Sequence, residues 1–279
     1  MQPEQKGIPL KDIIKCSSPV AMAFFLASAL GAPAFANEGS TVLDSRINVT
    51  FVGVPVGTLN NTISLSGSQY SISGLVKSNR LVSIVAGAKV RFSSSGRISR
   101  SKLLPKAQNV NFKSSREKRN ISLAFTSGNV RSASVSPKKI YKNGAVLLEA
   151  GHRRAVIDPV SALIIPVRRK DIGDGNKICD RTLPVFDGTA RYNLKLSFLS
   201  SQKARTKGFS GEVFNCQVRY QPIAGHRPHK KNVKFLKANR SMKITFARIG
   251  NTSNYGLFAF HVKTRKGTAI GTAGKFAVR

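Results

Sequence analysis

Apolar and polar residues alternate with period two through most of the chain beyond residue 45. In the segment from residue 191 to 198, Tyr192, Leu194, Leu196 and Phe198 are separated by polar residues. Such alternation places the apolar side chains on one face of a β-strand, so it predicts half-buried strands. The alternating segments lie at residues 47–51, 63–66, 70–74, 90–92, 110–112, 121–125, 191–198, 214–220, 242–246 and 258–262.

Short turn sequences separate these strands. Asp187-Gly188 is the strongest hairpin signal, because a type I′ turn needs positive φ at both central residues. Gly67-Ser68, Ser95-Gly96, Gly128 and Lys266-Gly267 are further candidates. The pattern predicts a mainly β fold, an antiparallel meander curled into a barrel-like, half-barrel or spiral sheet with one or two short helices. The loop at 168–177 contains no Pro- or Ser-rich linker, so we expect one β domain over residues 37–279.

One segment breaks the alternation and predicts a short helix over Pro159–Ile165. Asp158 is a plausible N-cap and Pro159 suits the first helical position. An apolar helix in a β protein should pack into the concave side of the sheet. Its candidate ligand-lining or plug residues are Pro159, Ala162, Leu163 and Ile165. Leu81–Ala86 is a second, weaker helical candidate.

The first 36 residues have the organisation of a secretory signal peptide. Lys6, Lys11 and Lys15 precede an apolar run from Val20 to Leu30, and small residues ending at Ala36 follow it. The run is too short to span a bilayer, which takes about 20 apolar residues. We therefore expect cleavage after residue 36 and export to the periplasm.

Two cysteines remain beyond that cleavage site, Cys179 and Cys216. In an exported chain an even pair indicates a disulfide. Metal binding and a catalytic thiol are the alternatives, and neither cysteine has a His or a second Cys at ligand spacing.

The chain carries 46 Lys and Arg against 12 Asp and Glu, a formal net charge of +34. Such a charge attracts polyanions, and in the periplasm these are lipid head groups and anionic envelope polymers. Peripheral membrane contact is therefore an expectation, with a compositional bias towards basic residues as the alternative. No motif of a sequence-specific nucleic-acid reader is present. The candidate anionic-surface contacts are Arg168, Arg169, Lys170, Lys230 and Lys231.

Catalytic, metal-binding and cofactor motifs are absent from the sequence, so we expect no enzyme activity and no cofactor. An envelope hydrolase or transferase is an alternative that requires residues distant in sequence to converge. The candidates are His152, Asp158, Asp180, Asp187 and His226. An outer-membrane β-barrel is another alternative, since alternating strands of this length fit it, although the outward faces carry Lys and Arg.

Several strings together resemble one family of Gram-negative envelope proteins, the domain of unknown function 3108. They are Phe51–Gly57, Tyr70–Gly74, Asp158–Leu163, Cys179–Gly188 with Arg191-Tyr192, and Cys216–Pro228. The resemblance extends from about Arg46 to the C-terminus and implies a periplasmic, mostly β fold with paired cysteines. It implies no activity and no catalytic residues. The expected role is non-enzymatic support of the cell envelope, by binding a lipid-like or apolar ligand or an envelope partner.

Overall fold

A computed structural model describes residues 39–79, 88–115 and 117–279 of the chain. The first part of the described chain is a run of antiparallel strands in which consecutive strands pair. These strands are β1 (Thr41–Phe51), β2 (Val54–Ser66), β3 (Gln69–Ser78), β4 (Lys89–Ser99), β5 (Lys102–Lys113), β6 (Lys118–Thr126) and β7 (Asn129–Ser136).

The second part adds seven more strands and two short α-helices. Single turns of 3-10 helix lie at Ala150–Arg153, Ser161–Leu163 and Arg169–Asp171. The remaining elements are β8 (Ile164–Pro166), α1 (Gly175–Cys179), β9 (Arg181–Phe186), β10 (Arg191–Thr206), β11 (Phe209–Ala224), α2 (Lys231–Ala238), β12 (Lys243–Arg248), β13 (Asn254–Thr264) and β14 (Gly267–Val278).

All fourteen strands belong to one sheet, in the order β7-β6-β5-β4-β3-β2-β1-β14-β13-β12-β11-β10-β9, with β8 paired to β13. The pairing of β1 with β14 joins the two halves of the chain at the middle of the sheet. The mainly β, antiparallel meander predicted from the alternation is therefore confirmed. β2 shows the physical basis, since Leu59, Asn61, Ile63 and Leu65 are buried while the residues between them are more exposed.

Because neighbouring strands are antiparallel, alternate connections lie at opposite ends of the sheet. We call one end proximal; it carries the connections β2–β3, β4–β5, β6–β7, β10–β11 and β12–β13. The other end, called distal, carries the connections β1–β2, β3–β4, β5–β6, β9–β10, β11–β12 and β13–β14. Helix α2 lies in the β11–β12 connection and is therefore distal.

Two local predictions differ from the structure. Ser95-Gly96 lies within β4, where the pairing with β5 shifts register, and does not form a turn. A Cβ on Gly96 would collide with the Leu104 carbonyl oxygen, so glycine permits the close approach of the two strands there. The predicted helix over Pro159–Ile165 is only a 3-10 turn over Ser161–Leu163, and Ile164 and Ile165 belong to β8. The candidate helix Leu81–Ala86 lies outside the described residues.

The core is packed with branched aliphatic and aromatic side chains from both halves of the sheet. Phe209, Phe258 and Phe276 form a cluster with ring centroids 5.3 to 5.7 Å apart. Such tilted and edge-on arrangements favour aromatic pairs beyond the area that they bury. Neither α-helix in the described parts of the chain has the length and apolarity to cross a membrane.

Candidate functional site

A buried bridging segment, residues 155–167, connects the two edges of the sheet. The backbone N–H of Val156 donates to the Gly128 carbonyl in the β6–β7 turn, with a distance of 2.8 Å from nitrogen to oxygen. The next residue, Ile157, exchanges hydrogen bonds with β9: its N–H donates to Pro184, and its carbonyl accepts from Phe186. The segment therefore spans the seam between the last strands in the sheet order, β7 and β9.

A network of buried polar side chains holds the bridging segment inside the fold. The Asp158 carboxylate accepts from the backbone N–H groups of Val160 and Ser161 at 2.9 and 2.8 Å. It also accepts from the Ser94 and Ser161 hydroxyls at 2.9 and 2.5 Å. The Tyr70 hydroxyl lies 2.7 Å from the Ser161 hydroxyl. These bonds attach the segment to β3 and β4. The backbone of the segment pairs with β9, on the other side of the interior.

The network supplies hydrogen bonds to a carboxylate that water cannot reach. Asp158 and Ser161 have no exposed surface, and Tyr70 is 2% exposed. Burial raises the pKa of Asp158, while the hydrogen bonds from Ser161, Ser94 and Val160 oppose the rise. Burial is also the main cause that raises the pKa of Tyr70. A substrate cannot reach the Ser161 hydroxyl, so the network acts as an internal clamp.

The bridging segment forms one wall of a partly open, mostly apolar cavity of about 510 Å³, which we call the seam groove. Its other walls are the β4–β5 and β6–β7 turns and the first residues of β9, so it opens at the proximal end. Its apolar lining includes Leu103, Val156, Ile157, Ile164, Ile165 and Leu183. Cavities of this volume and composition are typical of sites for small apolar ligands.

Arg181 brings a half-buried cation into the mostly apolar lining, which also includes the exposed Lys102. Its guanidinium donates to the carbonyl oxygen of Pro166 at 3.0 Å and to that of Lys177. Its Nε is buried without a hydrogen-bond partner, and burial lowers the pKa of the side chain, an effect that Asp171 opposes. A buried donor without a partner costs free energy, and an acceptor atom that reached Nε would remove that cost.

The structure places the predicted plug residues in the interior, but brings only one of them to the groove. Ile165 is fully buried and lines the seam groove. Ala162 is buried in the core, and Leu163 packs against it from a half-buried position. Pro159 is half-buried beside the clamp. Sequence reasoning missed Leu103, Leu183 and Arg181, because the turns and strand that carry them meet only in the folded sheet.

The Cys179–Cys216 disulfide predicted from the sequence is present, with an S–S distance of 1.99 Å. It joins the last residue of α1 to the middle of β11, and both cysteines are fully buried. The bond fixes the chain two residues before Arg181. The Asp180 carboxylate accepts from the backbone N–H of Phe198 at 2.7 Å.

The candidate anionic-surface contacts fall into two separate groups. Arg168 forms an ion pair with Asp171 at 2.6 Å, and its hydrogen bond holds the pKa of Asp171 below its usual range. Arg169 and Lys170 are exposed on the same 3-10 turn. Lys230 and Lys231 are exposed at the start of α2, at the distal end.

The residues that a hydrolytic site would need do not come together in hydrogen bonds within the described chain. His152 accepts from the backbone of Glu149. Asp187 stabilises its own turn by accepting from Thr189 and Ala190. His226 has a buried Nδ1 without a partner. No group of three or more His, Cys, Asp or Glu residues suited to a metal ion occurs among the described residues.

Comparisons with known proteins identify the family of this chain. A family model described as Protein of unknown function (DUF3108) matches residues 46–276. No curated protein matches the sequence. The chain is similar to a crystal structure described as a β-barrel-like protein of domain of unknown function DUF1849 from Brucella abortus, at 9% identity and a TM-score of 0.49. The superposition covers 86% of this chain and 98% of that one.

Proposed function

Since this chain belongs to the DUF3108 family of proteins of unknown function, we propose its role from its own sequence and geometry. The proposal is a non-enzymatic periplasmic protein that supports the cell envelope by holding an acidic lipid-like molecule in the seam groove. The single observation that carries it is a partly open, mostly apolar cavity whose wall contains the half-buried Arg181, with its Nε buried and without a hydrogen-bond partner.

The apolar lining of the groove suits a hydrocarbon chain. Leu103, Ile157 and Leu183 are each buried, and they approach the cavity from three different parts of the fold. Burying an alkyl chain against such residues yields about 0.8 kcal/mol for each methylene group. The cavity volume of about 510 Å³ lies within the range of about 300–1,000 Å³ found for small-molecule sites.

Arg181 suits an acidic head group. Its Nε–H is a donor without a partner, and carboxylate or phosphate oxygens accept from guanidinium groups in charge-assisted bonds. The two carbonyl bonds to Pro166 and Lys177 keep the side chain oriented, so little conformational entropy is lost when a ligand binds. An acidic lipid would therefore bind more tightly than a neutral one of equal length.

The periplasmic part of the proposal rests on the leader-like first 36 residues, which lie outside the described residues, and on the disulfide. Disulfides form and persist in oxidising compartments such as the periplasm. Osmotic-shock fractionation and mass spectrometry of the mature N-terminus test this part. Retention of the protein in the cytoplasm with an intact leader would contradict it.

Displacement of a fluorescent dansyl-labelled undecanoic acid tests the groove, with laurate and dodecanol as competitors. We expect Leu183→Trp, which fills the groove, to weaken both competitors about tenfold or more. Arg181→Gln should weaken laurate about tenfold and leave dodecanol nearly unchanged, because a hydrogen bond to a charged group contributes about 1.5–3 kcal/mol.

Arg191→Gln is the matched control. Arg191 is also half-buried, donates to a backbone carbonyl and has a pKa lowered by burial, but it begins the neighbouring strand at the distal end. We expect this variant to bind both competitors like the unmodified protein. Equal effects of the two Arg variants, or failure of laurate to displace the probe, would show that the groove is not an acidic-lipid site.

A further inference from the structure

Four lysines stand opposite one another on four neighbouring strands at the distal end of the sheet. In the strand register, Lys77 of β3 faces Lys89 of β4, Lys89 faces Lys113 of β5, and Lys113 faces Lys118 of β6. We call this set the lysine row. Neighbouring strands are about 4.8 Å apart, so the row extends over roughly 15 Å.

The lysine row is electrostatically unfavourable in the isolated protein. Like charges directly opposite each other on neighbouring strands destabilise a sheet. Within the described residues, none of the four ammonium groups forms a hydrogen bond or an ion pair. Glu117, the acidic residue next to Lys118, pairs with Arg119 at 2.6 Å. The row therefore has no counter-ion among the described residues and offers a continuous surface for an external anion.

A second group of cations lies at the same end. Lys231, Lys234 and Lys237 are exposed along α2, and the helix is held on β13 by the bond from the Asn239 side-chain amide to the Lys263 carbonyl at 2.7 Å. Arg265, in the β13–β14 turn, donates to Asn232 of the helix. The sequence contains no Asp or Glu between residue 213 and the C-terminus, so these cations have no acidic neighbour along the chain.

Large apolar side chains are exposed at the distal end as well. Val52 in the β1–β2 connection and Val54 at the start of β2 are 63% and 54% exposed, and Ile140 is 85% exposed. Ile140 lies at the distal end because its two neighbours, Lys139 and Tyr141, both donate to the Thr189 carbonyl in the β9–β10 connection, at 2.9 Å. A soluble polyanion would bind the cations but would not bury the apolar side chains. The interface of a bilayer accommodates cations and apolar side chains together.

We propose that the distal end docks on the surface of an anionic lipid bilayer. The lysine row and the α2 lysines contact head-group phosphates, and Val52, Val54 and Ile140 enter the interfacial layer. Clusters of four to eight basic residues are sufficient to recruit proteins to anionic membranes. Docking in this orientation leaves the proximal end, with the seam groove, facing away from the membrane. The proposal does not depend on whether the groove holds a ligand.

Vesicle flotation tests the docking surface. The mature protein, with its N-terminus verified by mass spectrometry, is mixed with vesicles of phosphatidylcholine alone or with one quarter phosphatidylglycerol. We expect binding only to the anionic vesicles, and a loss of about 25-fold for Lys89→Gln/Lys113→Gln, since each basic residue near such a surface contributes about fivefold. Equal binding to both kinds of vesicle would overturn the proposal.

Arg97→Gln/Lys106→Gln is the matched control, because it removes two exposed cations from the same two strands, β4 and β5, nearer the proximal end. This variant should retain vesicle binding to within about twofold. A loss equal to that of the lysine-row variant would show that total charge, and not the distal surface, governs binding. Circular dichroism confirms folding, and the lysine-row variant should be no less stable because it relieves like-charge contacts.

The apolar contribution is tested separately, by Val54→Ser/Ile140→Ser. At high salt, where charge contacts are screened, we expect this variant to lose about tenfold in binding relative to the unmodified protein. Soluble polyphosphate is added in a parallel experiment. If the serine variant binds normally and polyphosphate abolishes vesicle binding at low concentration, the surface binds a soluble polyanion and the bilayer proposal is wrong.

Discussion

Asp158 is the residue whose replacement tests the structural account most directly. Asp158→Ala removes four hydrogen bonds, two from backbone N–H groups and two from hydroxyls. At about 1 kcal/mol for each bond, with an added penalty for the two stranded backbone donors, we expect a loss of about 4–6 kcal/mol in the free energy of unfolding. For a chain of this size, the melting temperature should fall by roughly 10–20 °C.

The pH dependence of the free energy of unfolding shows whether ionisation of Asp158 stabilises or destabilises the fold. Burial raises the pKa of Asp158 above the ordinary value of a carboxyl group, so the folded protein binds this proton more tightly than the unfolded chain does. The contribution of Asp158 to stability therefore falls as the pH rises from about 4 through the folded pKa, and is constant above it. Asp158→Asn keeps an uncharged acceptor of the same shape. This variant should lose much less free energy of unfolding than Asp158→Ala. Its stability relative to that of the unmodified protein should increase as the pH rises.

Urea denaturation followed by circular dichroism, from pH 4 to 8, measures these effects. Asp187→Ala is the control, since that carboxylate also accepts from two backbone N–H groups but lies in a half-buried turn where water can replace it. We expect the control to cost about 1 kcal/mol. If Asp158→Ala cost no more than this, or if Asp158→Asn were as damaging as Asp158→Ala, the clamp would not hold the bridging segment in the way described.

Two further predictions concern the disulfide and a strained turn. Replacing both Cys179 and Cys216 by Ser opens a loop with a sequence separation of 37. Thermal denaturation should then show a loss of about 3–4 kcal/mol in the free energy of unfolding, with an unchanged circular dichroism spectrum. Two reactive thiols in the unfolded, unreduced protein would refute the bond. Gly225→Ala should cost about 2 kcal/mol or more, because φ is +79° and the new Cβ would collide with the Thr189 carbonyl oxygen. Gly144→Ala has a similar φ of +76° with open space around it, so a comparable loss there would mean that backbone strain alone, and not the collision, sets the cost.

The prediction of the helix over Pro159–Ile165 failed for a physical reason. Asp158 accepts from the N–H groups of Val160 and Ser161 as an N-cap would, but the turn that forms covers only Ser161–Leu163 and has Val160 as its N-cap residue. The helix ends after one turn because Ile164 and Ile165 pair with Gly256 and Tyr255 of β13. An apolar run of this length has no period that distinguishes a buried strand from a buried helix. Tertiary pairing decided the outcome.

The seam groove and the lysine row could not be predicted from the sequence because both depend on strand register. Leu103 and Leu183 line one cavity although they are far apart in the sequence, and only the bridging segment brings their strands together. Lys77, Lys89, Lys113 and Lys118 are ordinary surface lysines in the sequence. Their alignment appears only when four strands are paired.

The sequence by itself determined the position of most strands and the antiparallel pairing of consecutive ones. Alternation fixed which residues face the core, and short turns required neighbouring strands to pair, because both effects act between residues close in the chain. Only the tertiary structure decided that β1 pairs with β14, that residues 155–167 bridge the seam, and which charges stand side by side. Those arrangements depend on packing and register between segments tens to hundreds of residues apart, where local patterns carry no information.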